Sequence, residues 1–271
     1  MPELPEVETT RRGIEPLIIH KLVSAVTIRH AGLRWPVPER LPDILAGQHV
    51  LAVDRRSKYL LLRFEQGTLM IHLGMTGHLR LVAPGVERRK HDHVEFHFDD
   101  GTALCYNDSR RFGSIHWTVD DPLQHARLRE LGPEPLDDEF TSAYLYGRSR
   151  NRCVAVKPFL MDAKVVVGVG NIYANEALFR AGIAPKKLSG KVGRKEFSRL
   201  VSAVKDILQL AIDAGGTTIR DFAGTDGRPG YFKQELCVYG RNGLPCTNCR
   251  EPIRLVRLRQ RSTYFCPKCQ K

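Results

Sequence analysis

Two groups of residues in this 271-residue chain could do chemistry by type and spacing: the opening Met1-Pro2-Glu3-Leu4-Pro5-Glu6, and four cysteines near the end. Removal of Met1, which the small ring at position 2 permits, would leave the secondary amine of Pro2. A terminal amine titrates at about 8 and a lysine at about 10.4, so near neutral pH the terminal amine is on the order of a hundredfold richer in the nucleophilic form. Attack by such an amine on a sugar aldehyde gives a cationic iminium, an electron sink for elimination, by the logic of lysine Schiff bases. Glu3, next in the chain, is placed to move protons. The same residues also suit a helix start, since proline fits a first turn and acids fit its positive end. On the residues alone, both readings stand.

The cysteines read Cys246-x2-Cys249-x16-Cys266-x2-Cys269. Two knuckles at that spacing present four thiolates tetrahedrally, so one structural Zn2+ is expected. Disulfides are the poorer reading, because Glu3, Glu6 and Glu8 interrupt any apolar leader and no secretory signal follows. Cys105, Cys153 and Cys237 fall outside this scheme and read as reduced thiols. Between the knuckles, residues 253–259 and 263–265 read as strands joined at Gln260-Arg261-Ser262, a hairpin tip that would hold Arg261 outward.

The elements that must position these groups follow from periodicity. Leu4, Val7, Ile14 and Leu17 recur at helical spacing, so residues 3–18 are predicted to form an amphipathic helix. Short β-rich runs then occupy 23–29, 50–54, 59–64, 68–73, 78–82, 93–98, 102–107 and 114–119, broken by Gly, Pro, Asp and Asn, which predicts an antiparallel β-sandwich or barrel. Asp120-Asp121-Pro122 and Leu131-Gly132-Pro133 are the strongest breakers. After them helices are predicted at 140–148, 158–162, 171–181 and 194–214. The expected fold is therefore α+β and multidomain: a β-sandwich with a leading helix (1–120), a hinge (121–136), a helical domain (137–236) and a zinc ribbon (237–271).

Lys plus Arg number 42 against 30 Asp plus Glu, a net charge of +12, which points to a polyanionic partner. The last 35 residues alone hold a net +7, and their four cysteines argue for a folded unit rather than a loose basic tail. No apolar run approaches the roughly 18 residues of a membrane span. A soluble cytoplasmic protein, monomeric and bound to no membrane, is expected.

Further residues stand out by their setting. Lys58, at the mouth of an apolar strand, reads as an edge lysine that opposes aggregation. Met75 lies between Gly74 and Gly77 and is either core filler or an exposed apolar tip able to wedge into a base stack. Arg110 and Phe112 are a surface arginine beside a core ring, or contacts to DNA. His91 and His93 share a strand face without a third ligand nearby, which weighs against a metal. Asn171 opens a predicted helix as its N-cap after a glycine-containing double turn whose N–H groups suit an anion. Gly215–Phe232 is rich in glycine and reads as a mobile loop.

Pro-Glu-Leu-Pro-Glu at the start resembles the opening of the formamidopyrimidine-DNA glycosylases, bacterial enzymes that excise oxidised purines. The endonuclease VIII group instead resembles Pro-Glu-Gly-Pro-Glu and prefers oxidised pyrimidines. His72-Leu-Gly-Met-Thr-Gly77, Ser109-Arg-Arg-Phe-Gly113, the stretch Leu160–Leu178 and the cysteine ribbon match the same family in order. The resemblance implies a bifunctional glycosylase and AP lyase of damaged double-stranded DNA, working in the bacterial nucleoid. It implies Pro2 as nucleophile, Glu3 as proton shuttle and Lys58 and Arg261 as assistants. Met75 would fill the void left by the flipped base, with Arg110 and Phe112 as partners facing the orphaned cytosine. His91, Arg152 and Asn171 would hold phosphates, and the 215–232 loop would close over the flipped base. The readings left to separate are pyrimidine specificity and a non-catalytic damage binder.

Overall fold

The computed structural model describes residues 2–216 and 236–271, and these fall into two compact units: 2–129 with 214–216, and 130–213 with 236–271. The expected 215–232 loop lies almost wholly outside the described residues. Among those described, no helix is long and apolar enough to cross a membrane.

The first unit opens with helix α1 (Leu4–Ile18), whose N-cap is Glu3. Two four-stranded antiparallel sheets follow. One has the order β1 (Val23–Ile28), β6 (Asp92–Phe98), β7 (Ala103–Asn107), β5 (His78–Val82). The other runs β2 (Ala52–Arg56), β3 (Tyr59–Phe64), β4 (Gly67–His72), β8 (Ser114–Thr118). Every pairing is antiparallel, as short hairpin connections require. Leu60, Leu62, Phe64, Leu69 and Ile71 from one sheet and Leu79, Val94, Phe96, Leu104 and Tyr106 from the other share a single core. Val7, Ile14 and Ile18 of α1 enter that core, so its registry anchors the chain's opening residues. A short helix, α2 (Leu41–Leu45), is present that periodicity did not predict, being too brief to show a period.

The second unit holds α3 (Ser142–Ser149), α4 (Val156–Leu160), α5 (Asn171–Ala181) and α6 (Arg194–Asp213). Phe197, Leu200, Val204, Ile207, Leu208 and Ala211 form the buried stripe of α6, at the spacing that turns one face inward. Gly182 ends α5 in the left-handed conformation, at φ 70°, where a side chain is disfavoured. The hairpin of β9 (Arg254–Leu258) and β10 (Arg261–Phe265) completes this unit. Two sequence expectations are corrected here. Helix α4 starts at Val156 rather than Pro158, because a proline in the first turn has no hydrogen bond to lose. Arg261 is not in the hairpin tip. The turn is Arg259-Gln260, both at positive φ (45° and 61°), as a two-residue hairpin connection demands, and Arg261 opens β10 opposite Leu258.

Candidate active site

In the first unit, Pro2 is buried and immediately precedes the N-cap of α1, so it stands outside the helix, whose first-turn proline is Pro5. Glu3 is 2% exposed and Glu6 fully buried. The two form a capping box, in which the Glu3 backbone N–H donates to the Glu6 carboxylate at 2.8 Å. The residues that begin the helix thus also fix where the Pro2 ring sits. Gly216 passes close by, for a Cβ added there would lie 3.4 Å from the Glu6 side chain.

Lys58 and Ser57 form the two-residue turn between β2 and β3, with Ser57 at φ 57°. That turn is tied to α1 by a relay: Arg55 donates to Glu8 at 3.1 Å and to the Ser57 carbonyl at 3.0 Å. Burial works against the Glu8 charge, but hydrogen bonds from Arg11 and Arg12 and the nearby Arg55 hold its carboxyl below the usual range. His72 is pushed down to about 4, first by burial and then by the Lys58 cation. The neutral imidazole accepts the Gly74 N–H at its Nδ1, 3.0 Å away.

Met75 and the Arg110–Phe112 segment meet across two tightly apposed loops. Gly74 lies so close to the second loop that a Cβ would fall 2.4 Å from the Phe112 carbonyl carbon. At Gly113 a Cβ would fall 1.8 Å from the Tyr106 hydroxyl. Met75 is half-buried, while Arg110 and Phe112 are exposed, the guanidinium lying 4.7 Å over the Phe112 ring. The Phe112 ring is therefore a surface group, not a core one. Exposure of an aromatic ring beside a cation suits stacking on a nucleobase. His91, at φ 75°, sits at the start of β6, and its carbonyl accepts the Asp108 N–H at 3.2 Å.

In the second unit, Lys157 of α4 is 1% exposed, and its ammonium donates to Asn171 Oδ1 (2.6 Å), Thr263 Oγ1 (2.8 Å) and the Ser262 carbonyl (2.9 Å). An ammonium has only donors, so it fixes the amide oxygen of Asn171 toward itself and turns the amide nitrogen the other way. Asn171 is accordingly not the N-cap expected from sequence. Gly170 takes that position, and Asn171, the first helical residue, spends its oxygen on Lys157.

Arg152 pairs with Asp162 at 3.8 Å. Two adjoining clefts of about 390 and 350 Å3 share Pro158, Asp162 and Arg259; the first carries Lys157 and Arg261 and the second Arg152. Arginines from two stretches, Arg152 and the hairpin's Arg259 and Arg261, thus line these adjoining clefts, a basic surface suited to an anion. Arg259 was missed from sequence, because no glycine or asparagine marks its place in the two-residue hairpin turn.

The sulfurs of Cys246, Cys249, Cys266 and Cys269 all lie within 4.8 Å of one another, with Cys246–Cys269 at 4.0 Å and Cys249–Cys266 at 3.4 Å. A disulfide needs about 2.05 Å, whereas tetrahedral zinc with 2.3 Å bonds needs S···S edges of about 3.8 Å. The donor set fits one structural zinc. Backbone N–H groups of Asn248 and Cys269 point at Cys246 and Cys266 sulfurs at 3.4 Å, the support that ligating thiolates need. Glu176 of α5 braces the approach to the ribbon by accepting the N–H groups of Cys237, Val238 and Tyr239. Burial raises its carboxyl above the ordinary range despite those three donors.

Within the first unit the structure thus gathers Met75, Arg110 and Phe112 on adjoining loops and ties the Lys58 turn to the helix that Pro2 and Glu3 open. Arg152, Asn171, Arg261 and the four cysteines belong to the second unit. Family models described as "Formamidopyrimidine-DNA glycosylase N-terminal domain", "Formamidopyrimidine-DNA glycosylase H2TH domain" and "Zinc finger found in FPG and IleRS" match residues 1–115, 131–223 and 243–271. Proteins called formamidopyrimidine-DNA glycosylase from Alkalilimnicola ehrlichii and Pseudomonas savastanoi are 54% and 55% identical to the chain, with full coverage of both sequences in each case. Among solved structures, the Lactococcus lactis Fpg bound to DNA containing an abasic site superposes with a TM-score of 0.92 at 33% identity, covering 99% of each chain. The FPG protein of Thermus thermophilus gives 0.88 at 36% identity, over 99% of this chain and 98% of that one.

Proposed function

Because the chain belongs to the formamidopyrimidine-DNA glycosylase family, we propose that it excises oxidised purines such as 8-oxoguanine and formamidopyrimidines from duplex DNA and nicks the strand. It acts as a monomer on the bacterial nucleoid. The lesion nucleotide leaves the base stack. The Pro2 amine attacks C1′ of its deoxyribose, the glycosidic bond breaks, and Glu3 moves protons between the sugar and the departing base. The resulting iminium withdraws electrons, so the C3′–O and then the C5′–O bonds break by β- and δ-elimination.

Lys58 assists at the base or sugar. His91, Arg152 and Asn171 hold phosphates, and Arg261 grips the backbone and aids the second elimination. Met75 fills the void, Arg110 reads the orphaned cytosine and Phe112 wedges beside it. Zinc supplies structure only, by locking the ribbon.

The observation that carries the reading is the placement of buried Pro2 directly ahead of the capped start of α1, next to a glutamate and within a unit whose lysine turn is tied to the same helix. Borohydride reduction during turnover of an 8-oxoguanine duplex should give a covalent adduct that mass spectrometry maps to Pro2. The absence of an adduct, or its location on another amine, would overturn the mechanism. Equal or faster cleavage of a thymine glycol duplex would overturn the purine preference.

A further inference from the structure

Asp108 lies at the end of β7, fully buried, and belongs to none of the groups that face the DNA in the reading above. Its carboxylate is nevertheless the meeting point of the two loops that carry Met75, Arg110 and Phe112. One oxygen accepts the Thr76 hydroxyl at 2.5 Å and the Arg110 backbone N–H at 3.3 Å. The other accepts the Gly113 N–H at 2.8 Å and the Tyr106 hydroxyl at 3.2 Å. The backbone of Asp108 is used as well: its N–H donates to the carbonyl of His91, and its carbonyl bonds the His93 ring at 2.8 Å. Thr76 closes the circuit, since its hydroxyl oxygen also accepts the Arg110 N–H at 3.1 Å.

We propose that Asp108 is a positioning residue that makes the Met75 turn and the Arg110–Phe112 loop a single insertion device. The inference rests on the glycosylase reading and goes beyond it by naming what aligns the probing residues. A carboxylate is required because all four partners are donors, and an ionised carboxylate is the one side chain here that accepts from each of them. Separate loops would each pay ordering entropy on entering the duplex, whereas loops joined through one buried anion are ordered beforehand. Thr76 hands the coupling across: the residue is 7% exposed, and its hydroxyl makes the only side-chain bond from the Met75 turn to Asp108 among the described residues.

This coupling is needed for separating the lesion pair and reading the opposite base. It matters less at an abasic site, where no base remains to be displaced. Asp108→Asn keeps the shape but turns an amide N–H2 toward two donors, and Thr76→Val removes the link from the other side. Single-turnover excision of 8-oxoguanine opposite cytosine should fall about tenfold or more in both variants, while nicking of a preformed abasic site falls by less than about threefold. Preference for cytosine over adenine opposite the lesion should shrink in parallel.

Proportional loss of both activities would mean a merely structural role, and unchanged excision in Thr76→Val would mean that the loops are not coupled; either result overturns the proposal. Should Asp108→Asn fail to fold, Thr76→Val alone decides. The wild-type protein, assayed alongside, separates the two levels: if it leaves 8-oxoguanine intact, the parent reading fails, not this one.

Discussion

Lys157→Met would remove the ammonium that ties α4 to Asn171 and to the β9–β10 hairpin while keeping the length of the side chain. The bonds lost include those from Lys157 to Asn171 Oδ1, Thr263 Oγ1 and the Ser262 carbonyl. Hydrogen bonds to a charged group contribute about 1.5–3 kcal/mol each, so the gross loss is roughly 5–9 kcal/mol. Against this, the variant no longer buries an ammonium, which costs several kcal/mol per ion. A net loss of about 3 kcal/mol remains, concentrated in the hairpin, and it corresponds to a change on the order of a hundredfold in the local opening equilibrium. Hydrogen exchange read by mass spectrometry on the zinc-loaded protein should show it. Residues 262–265 should lose on the order of a hundredfold in protection, including the Tyr264 N–H that donates to Asn175. The interior of α6 serves as internal control. Protection of 262–265 changed by less than about threefold would refute the tether, and an equal loss in α6 would show that the cost is global rather than local.

Two other outcomes can be measured separately. Cys249→Ser should lose its zinc, by elemental analysis, and with it DNA binding, while tryptophan emission stays unchanged because Trp35 and Trp117 both sit in the first unit; a variant retaining zinc and binding contradicts the ribbon assignment. His72 and His116 are held neutral, each pushed down to about 4, the former by burial and Lys58 and the latter by burial and His125. Unfolded histidine titrates near 6.5, so the stability is intact above about 6.5 and lost as pH falls toward 4, with a ceiling of about 3 kcal/mol per ring before solvent access reduces it. Urea unfolding followed by tryptophan emission should show His116→Phe losing less stability between about pH 7 and 4.5 than the wild type, and an equal loss would contradict this.

Much of this architecture is local and so was legible in the residues. The period of α1, the hairpin spacing of the strands and the cysteine knuckles each follow from neighbours within a few positions. What escaped is set by distant partners. Nothing in Asn-Ile-Tyr-Ala says that the oxygen of Asn171 is claimed by a lysine on another helix, so the capping rule misassigned it. Lys157, set among Val154, Ala155, Val156, Phe159 and Leu160, was an available signal, being a charge in an apolar run. Asp108 gave none, for an aspartate ahead of Ser109 and Arg110 looks like an ordinary turn residue. The hairpin tip was off by one residue because nothing marked Arg259 and Gln260 as the positive-φ pair; glycine or asparagine would have.

The ribbon's ties to the helices have a consequence for how such chains can be recombined. Its backbone reaches Asn175 through Tyr264, Lys157 through Ser262 and Gly182 and Ala184 through Lys271; the Gln270 side chain donates to the Ile183 carbonyl, and Glu176 clasps the segment leading into the ribbon. A crossover placed between the helical and cysteine segments of two homologous genes would separate each of these docking partners. A chimera made there needs the matching sockets on α4 and α5 transplanted together with the ribbon, even though sequence models draw a border between them.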